Sequence, residues 1–262
     1  MRTTRYGSLG MAQPQPFLYY GQPFNPSLTV VGDKIQCVIK GYPRPANPEE
    51  YVRQEVLHFL KQLQATYPIR VEVETWERFD VAVYVNYPEK NFAPYIPPVL
   101  IVETKHADHL LTPKDEQQLR GYLAVSQCDL GLLTNRGTSY LCERNGKYTP
   151  CTDLAEVEKL VSKRSKDLSK RLKQQYAAFK QAHSTGSLES FKQLAETFGR
   201  DTRTMFQFAL HDDMGTWTGN DFEFDEATEM CDFRPQNAIR SRKQFSYREF
   251  ERLRRITLRG DG

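Results

Sequence analysis

The sequence predicts an α/β fold, a sheet flanked by helices, with a mainly helical region behind it. Three observations carry that prediction. A capped amphipathic helix precedes a series of short apolar strands. One of these, PPVLIVETK, is a nearly continuous β-branched run of the kind buried on both faces of a sheet. A helix and a further strand follow it, the alternation that builds a sheet with helices on its faces.

Taken in order, residues 1–27 are rich in Gly, Pro, Gln and aromatics without a sustained period. They read as an N-terminal arm, with Phe17, Tyr19 and Tyr20 available to dock it. LTVVGDKIQCVIKG alternates about a Gly-Asp turn and predicts a β-hairpin over 28–41. YPRPANP is not helical, because its prolines fix φ and remove donors. Asn47-Pro48-Glu49-Glu50 then starts a helix: a capping Asn, Pro at the first position and acids in the first turn. Val52, Val56, Phe59, Leu60 and Leu63 recur at helical spacing, and Tyr67-Pro68 ends the run. IRVEVETW and RFDVAVYV read as strands, and residues 86–98 as a Pro-rich connection to PPVLIVETK. After that strand come a helix (KDEQQLRGYLAVS), a strand (DLGLLTNR), and a strand and turn (TSYLCERNGKYTPC), closing a core over 28–152.

Residues 153–262 form a charge-segregated accessory region, expected to be mainly helical. A basic helix runs from Asp153 to about Ala182, and a shorter helix is expected near 188–198. Residues 211–232 are acidic without a single Lys or Arg, and His211-Asp212-Asp213 reads as an acidic surface loop. The tail is rich in Arg and aromatics together. Arg240, Arg242, Lys243, Arg252, Arg254 and Arg255, interleaved with Phe245, Tyr247 and Phe250, could neutralise a nucleic-acid backbone while the rings stack on bases. Docking of this tail onto the acidic 211–232 segment is the competing reading.

Composition sets the outer limits. Hydrophobic residues make up 39% and charged residues 26% of the 262, ordinary for a soluble globular chain. A net charge of +3 is too small to argue for nucleic acid by itself. No apolar run is long enough to span a membrane, and MRTTRYGSLGMAQPQPF lacks the apolar core of a signal peptide. Five cysteines without a CxxC pair support neither a disulfide framework nor a zinc site, and the expected compartment is the cytoplasm.

The chemistry concentrates at Glu103-Thr104-Lys105. Residues two apart on a strand share a face, so a carboxylate and an ammonium stand side by side at the end of an apolar strand. Burying them needs compensation, and a divalent cation on Glu103, with Lys105 beside the water it activates, accounts for both. Asp80, ahead of the β-branched series of the neighbouring strand, is the second acid that a hard cation needs. Glu55, on the first helix, is a further candidate metal ligand. Gln118 and Tyr122, four apart on the following helix, can orient the lysine. A structural ion pair remains the alternative for Asp80, Glu103 and Lys105. His106 and His109, in HADHLLTPKD, read as solvent- or DNA-facing loop residues rather than ligands.

These residues resemble the PD-(D/E)xK nuclease superfamily, and most closely the N-terminal nuclease domain of type I restriction endonuclease R subunits. The matching elements are Pro48-Glu49-Glu50-Tyr51-Val52-Arg53-Gln54-Glu55, Arg78-Phe79-Asp80, Val102-Glu103-Thr104-Lys105, Gln118-Leu119-Arg120-Gly121-Tyr122 and Leu133-Thr134-Asn135, in order over roughly 40–150. The resemblance implies a restriction-endonuclease-like mixed central sheet, Mg2+ (with Mn2+ as substitute) and hydrolysis of DNA phosphodiesters. It makes Asp80 and Glu103 metal ligands, Lys105 the catalytic lysine, and Gln118 and Tyr122 an accessory QxxxY motif. The R subunit's motor has no counterpart here, since no GxxxxGK[ST] is present. The expectation is therefore an endonuclease acting on DNA, as a homodimer or with a motor or specificity subunit on another chain. The alternative is a DNA-binding or assembly subunit on a nuclease fold that does not itself cut.

Overall fold

Tyr20 and Gly21 both sit at positive φ, 51° and 72°, and close a two-residue hairpin between β1 (Phe17–Tyr19) and β2 (Gln22–Phe24). The segment expected as a docked arm is thus a hairpin over its described part. The computed structural model describes residues 15–74, 79–87, 96–185, 189, 206–212, 215–219, 221–234, 242–249 and 254–258. The chain divides into two compact units, Met1–Asn86 with Pro97–Leu168, and Tyr87–Ile96 with Ser169–Gly262.

In the first unit, β3 (Val30–Val31) and β4 (Lys34–Gln36) form the hairpin expected about Gly32-Asp33, and β5 (Pro43–Pro45) adds a third strand. α1 (Pro48–Thr66) begins where its signals place it. Asn47 accepts from the Glu50 amide at 2.8 Å, Pro48 opens the first turn, and Tyr67 caps the end from an extended conformation. Then come β6 (Ile69–Val73), β7 (Val81–Val85), β8 (Leu100–Thr104), α2 (Pro113–Ser126), β9 (Leu130–Thr134), β10 (Ser139–Glu143) and β11 (Tyr148–Pro150). α3 (Leu154–Thr185) follows, and Leu154, Val157 and Val161 at its start are buried.

The central sheet has six strands in the order β11-β10-β9-β8-β7-β6. Only β8 and β9 run parallel, joined through α2; the other neighbours are antiparallel, so the sheet is mixed as expected. β8 is buried along its whole length, the consequence of packing on both faces. α1 packs against β6 and β8, α2 against β8 and β9. Leu119 and Leu123 of α2 meet Ile101, Leu133 and Cys128 in one core cluster, each such side chain contributing about 1.5–3 kcal/mol. The helix comes so close that a Cβ on Gly131 would lie 2.9 Å from Leu119 Cδ2.

The second unit corrects one expectation. α3 is helical as predicted, and residues 247–249 are helical too, but six strands accompany them: β12 (Phe206–Asp212), β13 (Gly215–Gly219), β14 (Asp221–Asp225), β15 (Met230–Arg234), β16 (Lys243–Ser246) and β17 (Arg254–Leu258). They form two three-stranded antiparallel sheets, β13-β12-β17 and β14-β15-β16. The region is mixed rather than mainly helical, and His211 and Asp212 belong to a strand, not a loop. Asp221, Glu223 and Asp225 obscured the alternation of Phe222 and Phe224, and Ala209 blurred that of Phe206, Phe208 and Leu210 by putting an apolar residue on the other face. The shorter helix expected near 188–198 lies outside the described residues, apart from Glu189. Among the described residues no helix is long and apolar enough to cross a membrane. All five cysteines are free and buried.

Candidate active site

Strand alternation at the end of β8 sorts the polar residues onto two faces. Ile101 packs under α2, so Glu103 and Lys105 share that side, while Thr104 turns to the other. Lys105 Nζ donates to Glu103 Oε1 at 2.6 Å and lies 3.4 Å from Gln118 Oε1 on α2. Gln118 Nε2 in turn donates to the Tyr122 hydroxyl at 2.8 Å. Asp115 Oδ1 is 3.8 Å from the same ammonium. Asp80 immediately precedes β7, and the β7–β8 register (Val81 opposite Val102) brings it level with Glu103. Its Oδ2 accepts from the Thr104 amide at 2.8 Å and the Thr104 hydroxyl at 2.9 Å.

The electrostatics follow from this crowding. Glu103 is 3% exposed. Burial first, and the charge of Asp80 second, push its carboxyl up to about 7, against the pull of Lys105. Burial works against the Lys105 charge, but the hydrogen bond and charge of Glu103, with Asp115 and Asp80, outweigh it and raise the ammonium above its ordinary value. Lys105 is thereby kept as a cation.

The helix side of the site was not anticipated in this form. Arg53 of α1 places Nη2 2.8 Å from Asp80 Oδ1 and 3.0 Å from Glu49 Oε1, and Nη1 2.8 Å from Glu50 Oε2. Arg44 of β5 pairs with Glu50 at 3.2 Å and with Glu74. Glu49 also adds to the negative field at Glu103. The ion-pair network of Arg44 and Arg53 thus joins four carboxylates (Glu49, Glu50, Glu74, Asp80) to two guanidiniums. Glu55 is occupied differently: it is buried and its Oε2 lies 2.8 Å from Arg136 Nε, and burial pushes it up to about 7 despite that cation. Among the described residues no group of three or more His, Cys, Asp and Glu side chains is arranged to hold a metal ion. Two hard carboxylates in a negative field do suit magnesium, which keeps waters and open positions for phosphate oxygens.

Residues 48–157 match the family model described as type I restriction enzyme R protein N terminus (HSDR_N). The resemblance read from the motifs is borne out over that segment. It holds Asp80, Glu103, Lys105, Gln118 and Tyr122, together with Glu55. No curated protein and no solved structure matches the chain.

Within this R-protein-like segment, Glu49, Arg53, Thr104 and Asp115 are the site residues that sequence reasoning passed over. Arg53 left one trace, a charged residue in the apolar series Val52, Val56, Phe59. Asp115 was legible as the third residue of a capping box begun by Thr112, whose amide and hydroxyl it accepts at 2.8 and 2.7 Å. It also lies 2.9 Å from His109 Nε2, so His109 is anchored beside the site rather than simply facing solvent. Hydrogen bonds from His109 and Thr112 outweigh burial and hold Asp115 down at about 2.

The basic tail lies outside the matched segment. β16 of the tail pairs with β15, at the end of the acidic stretch, and Arg242 forms an ion pair with Asp232, whereas β17 pairs with residues 206–210 of β12, ahead of that stretch. Arg254 and Arg255 sit in β17 and Lys243 in β16, whereas Arg240 and Arg252 lie outside the described residues.

Proposed function

We propose that this chain is a magnesium-dependent DNA endonuclease of restriction, defence or mobile-element type. The observation that carries the reading is the convergence of Asp80, Glu103 and Lys105 at the end of β8, with Lys105 Nζ 2.6 Å from Glu103 Oε1 and Asp80 raising the pKa of Glu103. The family match to an R-protein N terminus supports a restriction role.

Asp80 and Glu103 would hold magnesium, with Glu49 the α1 carboxylate in their field. Bound there, the ion would polarise a phosphate oxygen and lower the pKa of a water. Lys105, kept protonated by its acidic neighbours, serves as a fixed cation that offsets charge developing on the phosphoryl oxygens, rather than as the base. Gln118, anchored by Tyr122, and Asp115 limit where its Nζ can point. Burial of the strand end keeps these charges in a low-dielectric setting where they act strongly.

Cleavage of plasmid and single-stranded DNA with magnesium or manganese tests this. Wild type should cut, and Lys105→Ala and Asp80→Ala should each lose on the order of 100-fold or more in rate while still binding DNA. Binding without turnover under any metal would favour an assembly subunit instead, and cutting that survives both substitutions would mean that the active site lies elsewhere.

A further inference from the structure

We propose that Arg53 is a positioning residue for Asp80: together with Thr104 it fixes the carboxylate so that a single lone pair, on Oδ1, is left for a cation. The inference rests on the metal-dependent reading above and goes further by naming how the ligand is held.

A carboxylate offers about four acceptor positions, two on each oxygen. On Asp80, Oδ2 takes both the Thr104 amide and the Thr104 hydroxyl, at 2.8 and 2.9 Å, and is filled. Oδ1 takes one bond, from Arg53 Nη2 at 2.8 Å, which leaves it one position. The guanidinium is itself fixed. It is 9% exposed, and Nη1 is held by Glu50 Oε2 at 2.8 Å. Glu50 is held in turn by Gln54 Nε2 at 2.7 Å and by Arg44 Nε at 3.2 Å. A chain of ion pairs and hydrogen bonds, with Glu50 as the shared acceptor, thus runs from β5 and α1 to one oxygen of the residue proposed to bind metal.

Simple charge compensation is a poor account of this arrangement. The carboxylates paired with Arg44 and Arg53 outnumber those two guanidiniums, so Arg53 is shared among Glu49, Glu50 and Asp80 rather than matched to one. A cation 2.8 Å from the ligating oxygen would also oppose a dication. On electrostatics alone, removing Arg53 should therefore tighten metal binding. If Arg53 acts by orienting the ligand, removing it should weaken binding, as loss of a group supporting a metal ligand does by about 10- to 100-fold. The sign separates the two accounts.

The experiment is Mn2+ titration of the full chain without DNA, followed by electron paramagnetic resonance, with thermal melts in chelator to report folding. Arg53→Gln and Thr104→Val should each bind Mn2+ about 10- to 100-fold more weakly than wild type. Arg53→Lys, which keeps the charge but not the planar fork, should restore the melting temperature and not the affinity. Affinity equal to or above wild type in folded Arg53→Gln overturns the proposal. Should that variant fail to fold, Thr104→Val decides, because it keeps the shape of a buried side chain and removes only its hydroxyl; unchanged affinity there overturns the proposal too. Asp80→Asn is the control: Mn2+ binding indifferent to it means that the metal reading fails and this inference with it.

Discussion

Glu103 shows at a single residue what the candidate site costs the fold. Its carboxyl is buried beside Asp80, and its folded-state value near 7 lies above the ordinary 4.5. The folded chain therefore holds the proton more tightly than the unfolded one. The stability this brings is complete below about pH 4.5 and is lost as pH rises through about 7. In chelator, wild type should lose stability between pH 5 and 8 that Glu103→Gln retains, with a difference of roughly 1–3 kcal/mol at pH 8. Thermal or urea melts of the two proteins across that window provide the check. Curves that stay parallel from pH 5 to 8 would show that Lys105 already compensates the ionised form.

At the scale of elements, α1 shows which parts of the molecule a sequence exposes. Its start was legible because Asn47, Pro48 and the acids after them act locally, within one turn. Asn47→Ala should cost about 1 kcal/mol in urea unfolding, through loss of the bond from the Glu50 amide. The fate of its polar residues was not legible. Glu55 and Arg53 are two positions apart, yet Glu55 meets Arg136 beyond β9, and Arg53 meets Asp80 ahead of β7. Those partners are set by tertiary packing and have no local signature. β8 behaved in the opposite way: an unbroken apolar run states its own burial, and a period of two states that Glu103 and Lys105 share a face. The central sheet and the charged pair at its end were therefore readable, whereas the buttress on α1 needed the fold. β14 and β15 were missed for a third reason, since the acidic residues beside their apolar positions read as solvated loop.

For the chain as a whole, the segregation of charge bears on how its tail meets a polyanion. The end of the acidic 211–232 stretch, in β15, pairs with β16 of the basic tail, and Arg242 lies on Asp232. That carboxylate therefore competes with any phosphate for Arg242. The hydrogen bond from Arg242 is the first cause that holds Asp232 below its usual range, so the pair stays charged at neutral pH. If the tail contacts DNA, Asp232→Asn releases one guanidinium to the backbone without adding a positive residue. Affinity for a short duplex should then rise, and the slope of log Kobs against log salt should steepen by about 0.9, the increment for one more neutralised phosphate. Fluorescence anisotropy across a salt series measures both quantities on one preparation. A slope and affinity identical to wild type would assign Arg242 to the pairing of β15 with β16 and remove it from the DNA-binding set. A rise in affinity at unchanged slope would point instead to the loss of a repulsive carboxylate near the backbone, with Arg242 itself making no phosphate contact.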